Sequence, residues 1–285
     1  MELNKDELEA LMQLQVDQYN LLGYNVSTSL RRRKLEHCWY MDYLDEIATY
    51  LPKGVILEIG CGGGYFTALL KIAGYHIVGG DMISPEKRDR AAVGDFWFQQ
   101  RRLKRWPEYV RLDGRFLPFK ETSFDGVIAI GVFEHLGEKR WLKDGKIHDE
   151  DIIGRARSEE RFLRRVLRIL RPGGHFFIYE LPRKLGYEHL VHPFGSFTLS
   201  PHQSFYDKKK IRSILVRLGF QVIDIQRYEC VPPGPLNWMN SKWVYLLSKQ
   251  LSLLKPFSRY LKVVARKGSL SERGRVQLGQ HFGRS

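Results

Sequence analysis

Between Val55 and Ala265 the chain alternates short apolar runs with longer stretches at helical spacing. Val55-Ile56-Leu57-Glu58-Ile59, His76-Ile77-Val78-Gly79-Gly80 and Gly126-Val127-Ile128-Ala129-Ile130 predict strands. The last is apolar throughout, as expected where helices cover both sheet faces. His175–Glu180, Phe220–Tyr228 and Tyr260–Ala265 predict further strands. Tyr65–Ile72, Ser158–Leu170 and Lys208–Leu218 lie between them and predict helices. In the second of these, Phe162, Leu163, Val166, Leu167 and Leu170 form the apolar stripe. Ser158 is the expected cap, Glu159 and Glu160 suit the first turn, and Pro172-Gly173-Gly174 is the expected stop. Upstream, Glu2–Gln18 and Glu36–Tyr50 also have helical spacing, and Pro52 and Gly54 end the second. Strands alternating with helices predict an α/β fold: a mostly parallel sheet with helices on both faces.

This pattern divides the chain into an N-terminal helical cap (1–50), one α/β domain (51–265) and a basic tail (266–285). Segments 136–157, 181–203 and 231–256 exceed what the alternation needs and are expected as insertions. There are no internal repeats and no apolar run of the ~20 residues that a spanning helix needs. The acidic start of the chain lacks the features of a secretory signal. Cys38, Cys61 and Cys230 lie far apart, which argues against a disulfide framework and for a reducing cytoplasm. Lys plus Arg is 46 against 32 Asp plus Glu, a net charge of +14 in 285 residues. Such a surface attracts phosphates, whether of nucleic acid, lipid or small substrates.

The sharpest local feature is Glu58-Ile59-Gly60-Cys61-Gly62-Gly63-Gly64, which ends a strand and opens a helix. Glycines there allow a tight turn and a close approach of backbone to ligand. A dinucleotide fingerprint, GxGxxG, would need a glycine where Tyr65 stands. A carboxylate two residues before the first glycine suits a ligand with an ammonium group better than a pyrophosphate. Asp81, at the tip of the second strand, is placed to accept from ribose hydroxyls. Asp113, on the loop after a third strand, can accept from an adenine amino group.

These residues, together with Leu117-Pro118-Phe119, Ser123-Phe124-Asp125, Glu134-His135 and Leu170-Arg171-Pro172-Gly173-Gly174, resemble the class I S-adenosylmethionine-dependent methyltransferases. The similarity is to the small-molecule branch (type 11/12-like), and it covers Leu51–Glu180 most strongly. The resemblance implies a Rossmann-like seven-stranded sheet with an antiparallel last strand, and S-adenosylmethionine as cofactor. It places Gly60, Gly62 and Gly64 against the methionine and ribose portions, with Glu58 supporting the loop and the ammonium end. Asp81 would bind the ribose, Met82 would flank the adenine, and Asp113 would bind its amino group with Gly114 behind it. Ile130–Phe133 would line the methionine side.

His135 is the candidate general base, set against a structural histidine bonded to a loop carbonyl. His189, with His192 and His202, lies in a loop expected to face the acceptor. His189 and His192 have no acidic partners at ligand spacing, so no metal is expected. Trp238–Leu254 reads either as a packed helix or as an interfacial helix meeting a lipid-linked acceptor at the membrane surface. Arg101, Arg102, Lys104 and Arg105 beside Trp97 and Trp106 admit RNA as an alternative partner. Against this, no RNA-binding module is recognisable, and Ile130-Gly131-Val132-Phe133 lacks the Asn/Asp-Pro-Pro-Tyr of enzymes that methylate base amines. The expected activity is methyl transfer to oxygen of a small or lipid-linked acceptor of quinone, polyketide or saccharide type. A non-catalytic S-adenosylmethionine-binding protein is the alternative outside enzymes.

Overall fold

The computed structural model describes residues 6–13, 26–81, 107–133, 136, 152–182, 206–230 and 258–268. Two helices come first, α1 (residues 6–13) and α2 (Val26–Tyr50). Then follow β1 (Val55–Ile59), α3 (Tyr65–Ile72), β2 (His76–Asp81), β3 (Glu108–Arg111) and β4 (Phe124–Ile130). The chain continues with α4 (Ile152–Ile169), β5 (Leu170–Pro182), α5 (Lys208–Arg217), β6 (Phe220–Cys230) and β7 (Ser258–Lys267).

The strands form one seven-stranded sheet in the order β3-β2-β1-β4-β5-β7-β6. β1 to β5 pair in parallel, and β7 lies antiparallel between β5 and β6. This is the Rossmann-like arrangement expected from the sequence, with the last strand reversed.

Alternate residues of the central strands feed two cores. Leu57, Ile59, Val127, Ala129, Phe176 and Ile178 join the cluster under α4 and α5. Ile56, Ile128, Phe177 and Tyr179 join the cluster under α1, α2 and α3. Burial on both faces explains why these strands read as continuous apolar runs.

Two of the sequence motifs hold the amino edge of the sheet rather than the opposite edge where the glycine loop lies. The Asp125 carboxylate accepts the Val55 N–H at 2.8 Å and both bonds of the Arg171 guanidinium at 2.7 Å. Burial pushes Asp125 up, but the Val55 N–H and the Arg171 charge outweigh it and leave the carboxyl below its ordinary value. The Ser-Phe-Asp and Leu-Arg-Pro-Gly-Gly motifs thus clasp β1, β4 and β5 together.

Three boundaries differ substantially from the sequence reading. α2 begins at Val26, ten residues before the predicted Glu36. No glycine or proline interrupts that stretch, and its basic residues are good helix formers. α4 begins at Ile152, so Ser158 is not a cap and Glu159 is not in the first turn. Glu159 is instead buried and accepts the Tyr206 hydroxyl. β5 begins at Leu170 and takes in Pro172-Gly173-Gly174 as an irregularity, because Leu170 pairs with Phe124 before regular pairing resumes at His175–Gly126. β3 is four residues long, too short to show a period in the sequence.

Candidate functional site

The site forms at the carboxyl ends of β1, β2 and β4, where the strand order reverses on either side of β1. In open α/β sheets such a switch point leaves a crevice for ligands. The chain turns there through Gly60, Gly62 and Gly64, all at positive φ (74°, 50° and 79°). The Gly60 N–H donates to the Gly80 carbonyl at 2.7 Å, which ties the turn to the end of β2.

The three glycines have different reasons to be glycine. A Cβ on Gly60 would come within 2.1 Å of Val132, and one on Gly64 within 2.3 Å of the Tyr109 hydroxyl. Those two positions are closed by the protein's own side chains. Among the described residues, a Cβ on Gly62 would meet nothing within 4 Å. Gly62 therefore needs glycine for its backbone conformation alone and presents the open side of the turn.

Asp81 closes the other wall. Its Oδ2 accepts the Gly62 N–H at 2.7 Å, which brings the tip of β2 directly to the glycine loop.

Glu58 lies beneath the loop and is buried, with its carboxylate accepting the Thr67 hydroxyl from α3. Burial lifts its pKa to about 7, the Thr67 bond opposes the rise, and the Asp81 charge adds to it. Burial also pushes the Cys61 thiol up, helped by Glu58 and Asp81, so Cys61 is not an activated nucleophile. Thr67 and Tyr109 were not singled out in the sequence. Thr67 could have been found as a polar residue on an otherwise apolar helix face.

Asp113 lies on the loop after β3, within a half-buried ion pair. Arg115 donates to it from its backbone N–H and from its guanidinium, the shortest contact being 2.6 Å. A Cβ on Gly114 would meet Ile59 at 3.2 Å and Phe162 at 3.4 Å, so this glycine lets the loop pack on β1 and α4.

Ile130 ends β4 beside Tyr179. Val132 then packs on Gly60, and Phe133 is buried against Phe162 and Tyr206. The end of β4 is thereby fixed against the glycine loop. On the other face α2 reaches the same region, where His37 Nδ1 lies 2.9 Å from the hydroxyl of Tyr65, the first residue of α3. Met82, His135 and His189 lie outside the described residues. Among the described residues, no group of His, Cys, Asp and Glu is disposed to hold a metal, and no helix is long and apolar enough to cross a membrane.

The described residues fit S-adenosylmethionine. The turn meets the tip of β2 where Asp81 accepts the Gly62 N–H, and Asp113 stands at the neighbouring loop. The fold and this arrangement define a Rossmann-like methyltransferase domain. A profile of the methyltransferase domain family matches residues 30–225, and the chain belongs to that family. It is an S-adenosylmethionine-dependent methyltransferase.

Solved structures of the same fold include magnesium protoporphyrin IX methyltransferase from Synechocystis, determined with bound S-adenosylhomocysteine. It is 14% identical with a TM-score of 0.55, over 88% of this chain and 94% of that one. A protein from Pyrococcus horikoshii is 16% identical with a TM-score of 0.53, over 84% and 91%. A SAM-dependent methyltransferase from Methanosarcina mazei is 16% identical with a TM-score of 0.51, over 78% and 97%. No curated protein matches the chain in sequence.

Proposed function

We propose that this methyltransferase acts on an oxygen of a small or lipid-linked acceptor of quinone, polyketide or saccharide type. The observation that supports the cofactor side of this reading is the bond from the Gly62 N–H to Asp81, which joins the ends of β1 and β2. Support for a small acceptor comes from the end of β4, which reads Ile130-Gly131-Val132-Phe133 and carries no proline-rich base-amine motif.

In this reading Gly60, Gly62 and Gly64 let the backbone approach the methionine and ribose portions. Glu58 holds the loop from below and supplies negative potential toward the ammonium end. Asp81 accepts from the ribose hydroxyls, Asp113 accepts from the adenine amino group, and Met82 flanks the ring. Ile130 and the residues after it line the methionine side. When bound, S-adenosylmethionine supplies a methyl group already activated on a sulfonium, so positioning of the acceptor does much of the catalytic work.

An acceptor hydroxyl must also lose a proton. His135, just beyond the end of β4, is the candidate base, and His189 belongs to the loop proposed to contact the acceptor. A panel of phenolic, quinol and saccharide hydroxyls, read by formation of S-adenosylhomocysteine, identifies the acceptor class. With that acceptor, the rate should rise with pH as His135 loses its proton. His135→Ala should lower kcat about a hundred-fold and abolish that rise, with cofactor affinity retained. An unchanged rate and profile would remove His135 from the reaction.

A further inference from the structure

We infer that Tyr109 is a positioning residue of the cofactor site: its hydroxyl pins the last glycine of the turn from β3, and Gly79 is glycine so that the ring can cross β2 to reach it. The inference rests on the proposed contact of that turn with the cofactor. Tyr109 acts through Gly64 rather than on the cofactor itself.

The register puts Glu58, Gly79 and Tyr109 in one row across β1, β2 and β3. Paired residues of neighbouring strands face the same side of a sheet. On that side Thr67 of α3 meets Glu58. A Cβ on Gly79 would come within 2.8 Å of the Tyr109 ring and 3.0 Å of the Thr67 methyl. Gly79 does not have the positive φ that explains Gly60, Gly62 and Gly64, so space is its reason to be glycine. The ring lies over the bare backbone of β2, and its hydroxyl donates to the Gly64 carbonyl at 3.1 Å.

Gly64 is where the turn becomes a helix. It caps α3 in a left-handed conformation and has no side chain to close the cap. Its N–H donates to the Cys61 carbonyl at 2.8 Å, and its own carbonyl accepts the Ala68 N–H at 2.9 Å as well as the Tyr109 hydroxyl. Three consecutive glycines have the widest backbone freedom a chain offers, so holding them in one conformation costs entropy. The front of the turn is tied to β2, by Gly60 to Gly80 and by Gly62 to Asp81. Tyr109 ties the back to β3. A turn held at both ends before the ligand arrives loses less freedom on binding.

Calorimetric titration of S-adenosylhomocysteine into wild type, Tyr109→Phe, Tyr75→Phe and Asp81→Asn tests this. Tyr75 is the control: its hydroxyl donates to the Leu51 carbonyl at 2.8 Å, the same kind of bond beyond the other end of α3. Tyr109→Phe should bind about five-fold more weakly, as for the loss of one hydrogen bond that holds the site, and Tyr75→Phe should bind as wild type does. Gly79→Ala, which drives the ring away, should weaken binding at least as much, and adding Tyr109→Phe to it should cost nothing further. If Asp81→Asn weakens binding while Tyr109→Phe binds like wild type, the reading of the turn stands and the inference fails. Equal weakening by Tyr75→Phe, or additive losses from Gly79→Ala and Tyr109→Phe, would also overturn it. If Asp81→Asn binds like wild type, the turn does not face the cofactor, and the inference falls with that reading.

Discussion

Glu58 is a carboxyl group with almost no water around it and one hydroxyl donor, from Thr67. Burial raises its pKa from 4.5 to about 7 in the folded protein without ligand. Folding therefore favours its protonated form. Its contribution to stability is complete below pH 4.5 and declines as the pH rises toward and through 7. The decline from this one residue amounts to about 3 kcal/mol. Denaturant unfolding of wild type and Glu58→Gln across this range should show the two curves diverging by that amount as the wild type weakens. Parallel curves would mean that Glu58 ionises as freely in the fold as in water.

The glycine turn and Asp81 were legible in the sequence because each depends on a strand end and a few neighbouring residues. Thr67 and Arg115 were not. Their importance comes from which carboxylate they meet: Thr67 stands out as a polar residue in an apolar helix, but neither it nor an arginine in a loop states its partner. Tyr109 was hidden for a different reason: it fills the space left by Gly64 and Gly79 from a strand too short to announce itself.

Among the elements, α2 reaches the start of α3 beside the glycine loop and is held there at several points. Tyr43 stacks on Tyr179 of β5, with ring centres 4.0 Å apart and planes at 10°. Glu46 accepts from Lys262 of β7 at 2.8 Å, in a pair only 11% and 18% exposed. His37 meets Tyr65 at the start of α3. α2 is therefore fastened to the adjacent strands β5 and β7 and to the helix that leaves the glycine loop. Lys262→Met would leave Glu46 buried without its cation and should cost about 3 kcal/mol by chemical denaturation. The double variant Glu46→Leu/Lys262→Met should recover most of that loss, and a single variant as stable as wild type would contradict this anchoring.

The interiors of the elements were readable because burial on both faces writes continuous apolar runs, as in β4, and a buried stripe writes helical spacing, as in α4. Their starts were less readable. α2 and α4 both extend upstream into charged sequence that lacks an apolar stripe yet has enough helix-forming residues to continue. The Asp125–Arg171 clasp shows a related limit. Motifs that mark the family in sequence include some that hold the sheet together, and sequence alone does not separate these from residues that meet ligand.

For the molecule as a whole, the alternation of strands and helices implied the parallel sheet. The reversed last strand came from the resemblance to the methyltransferases, since nothing local in Ser258–Lys267 states its direction. The net charge of +14 narrows the partners to those that tolerate or seek a positive surface, but it does not choose among them. The proposed place of the ligand is the carboxyl edge at β1, beside Gly62 and the carboxylates of Asp81 and Asp113.

This wall is proposed to bind S-adenosylmethionine and not a dinucleotide. Its most direct test is calorimetric titration of S-adenosylmethionine and, separately, of NAD into wild type and Asp81→Asn, a substitution that keeps an acceptor for the Gly62 N–H. Binding of S-adenosylmethionine alone, weakened about ten-fold by the substitution, is the predicted result. Binding of NAD, or an affinity for S-adenosylmethionine indifferent to Asp81, would contradict the account.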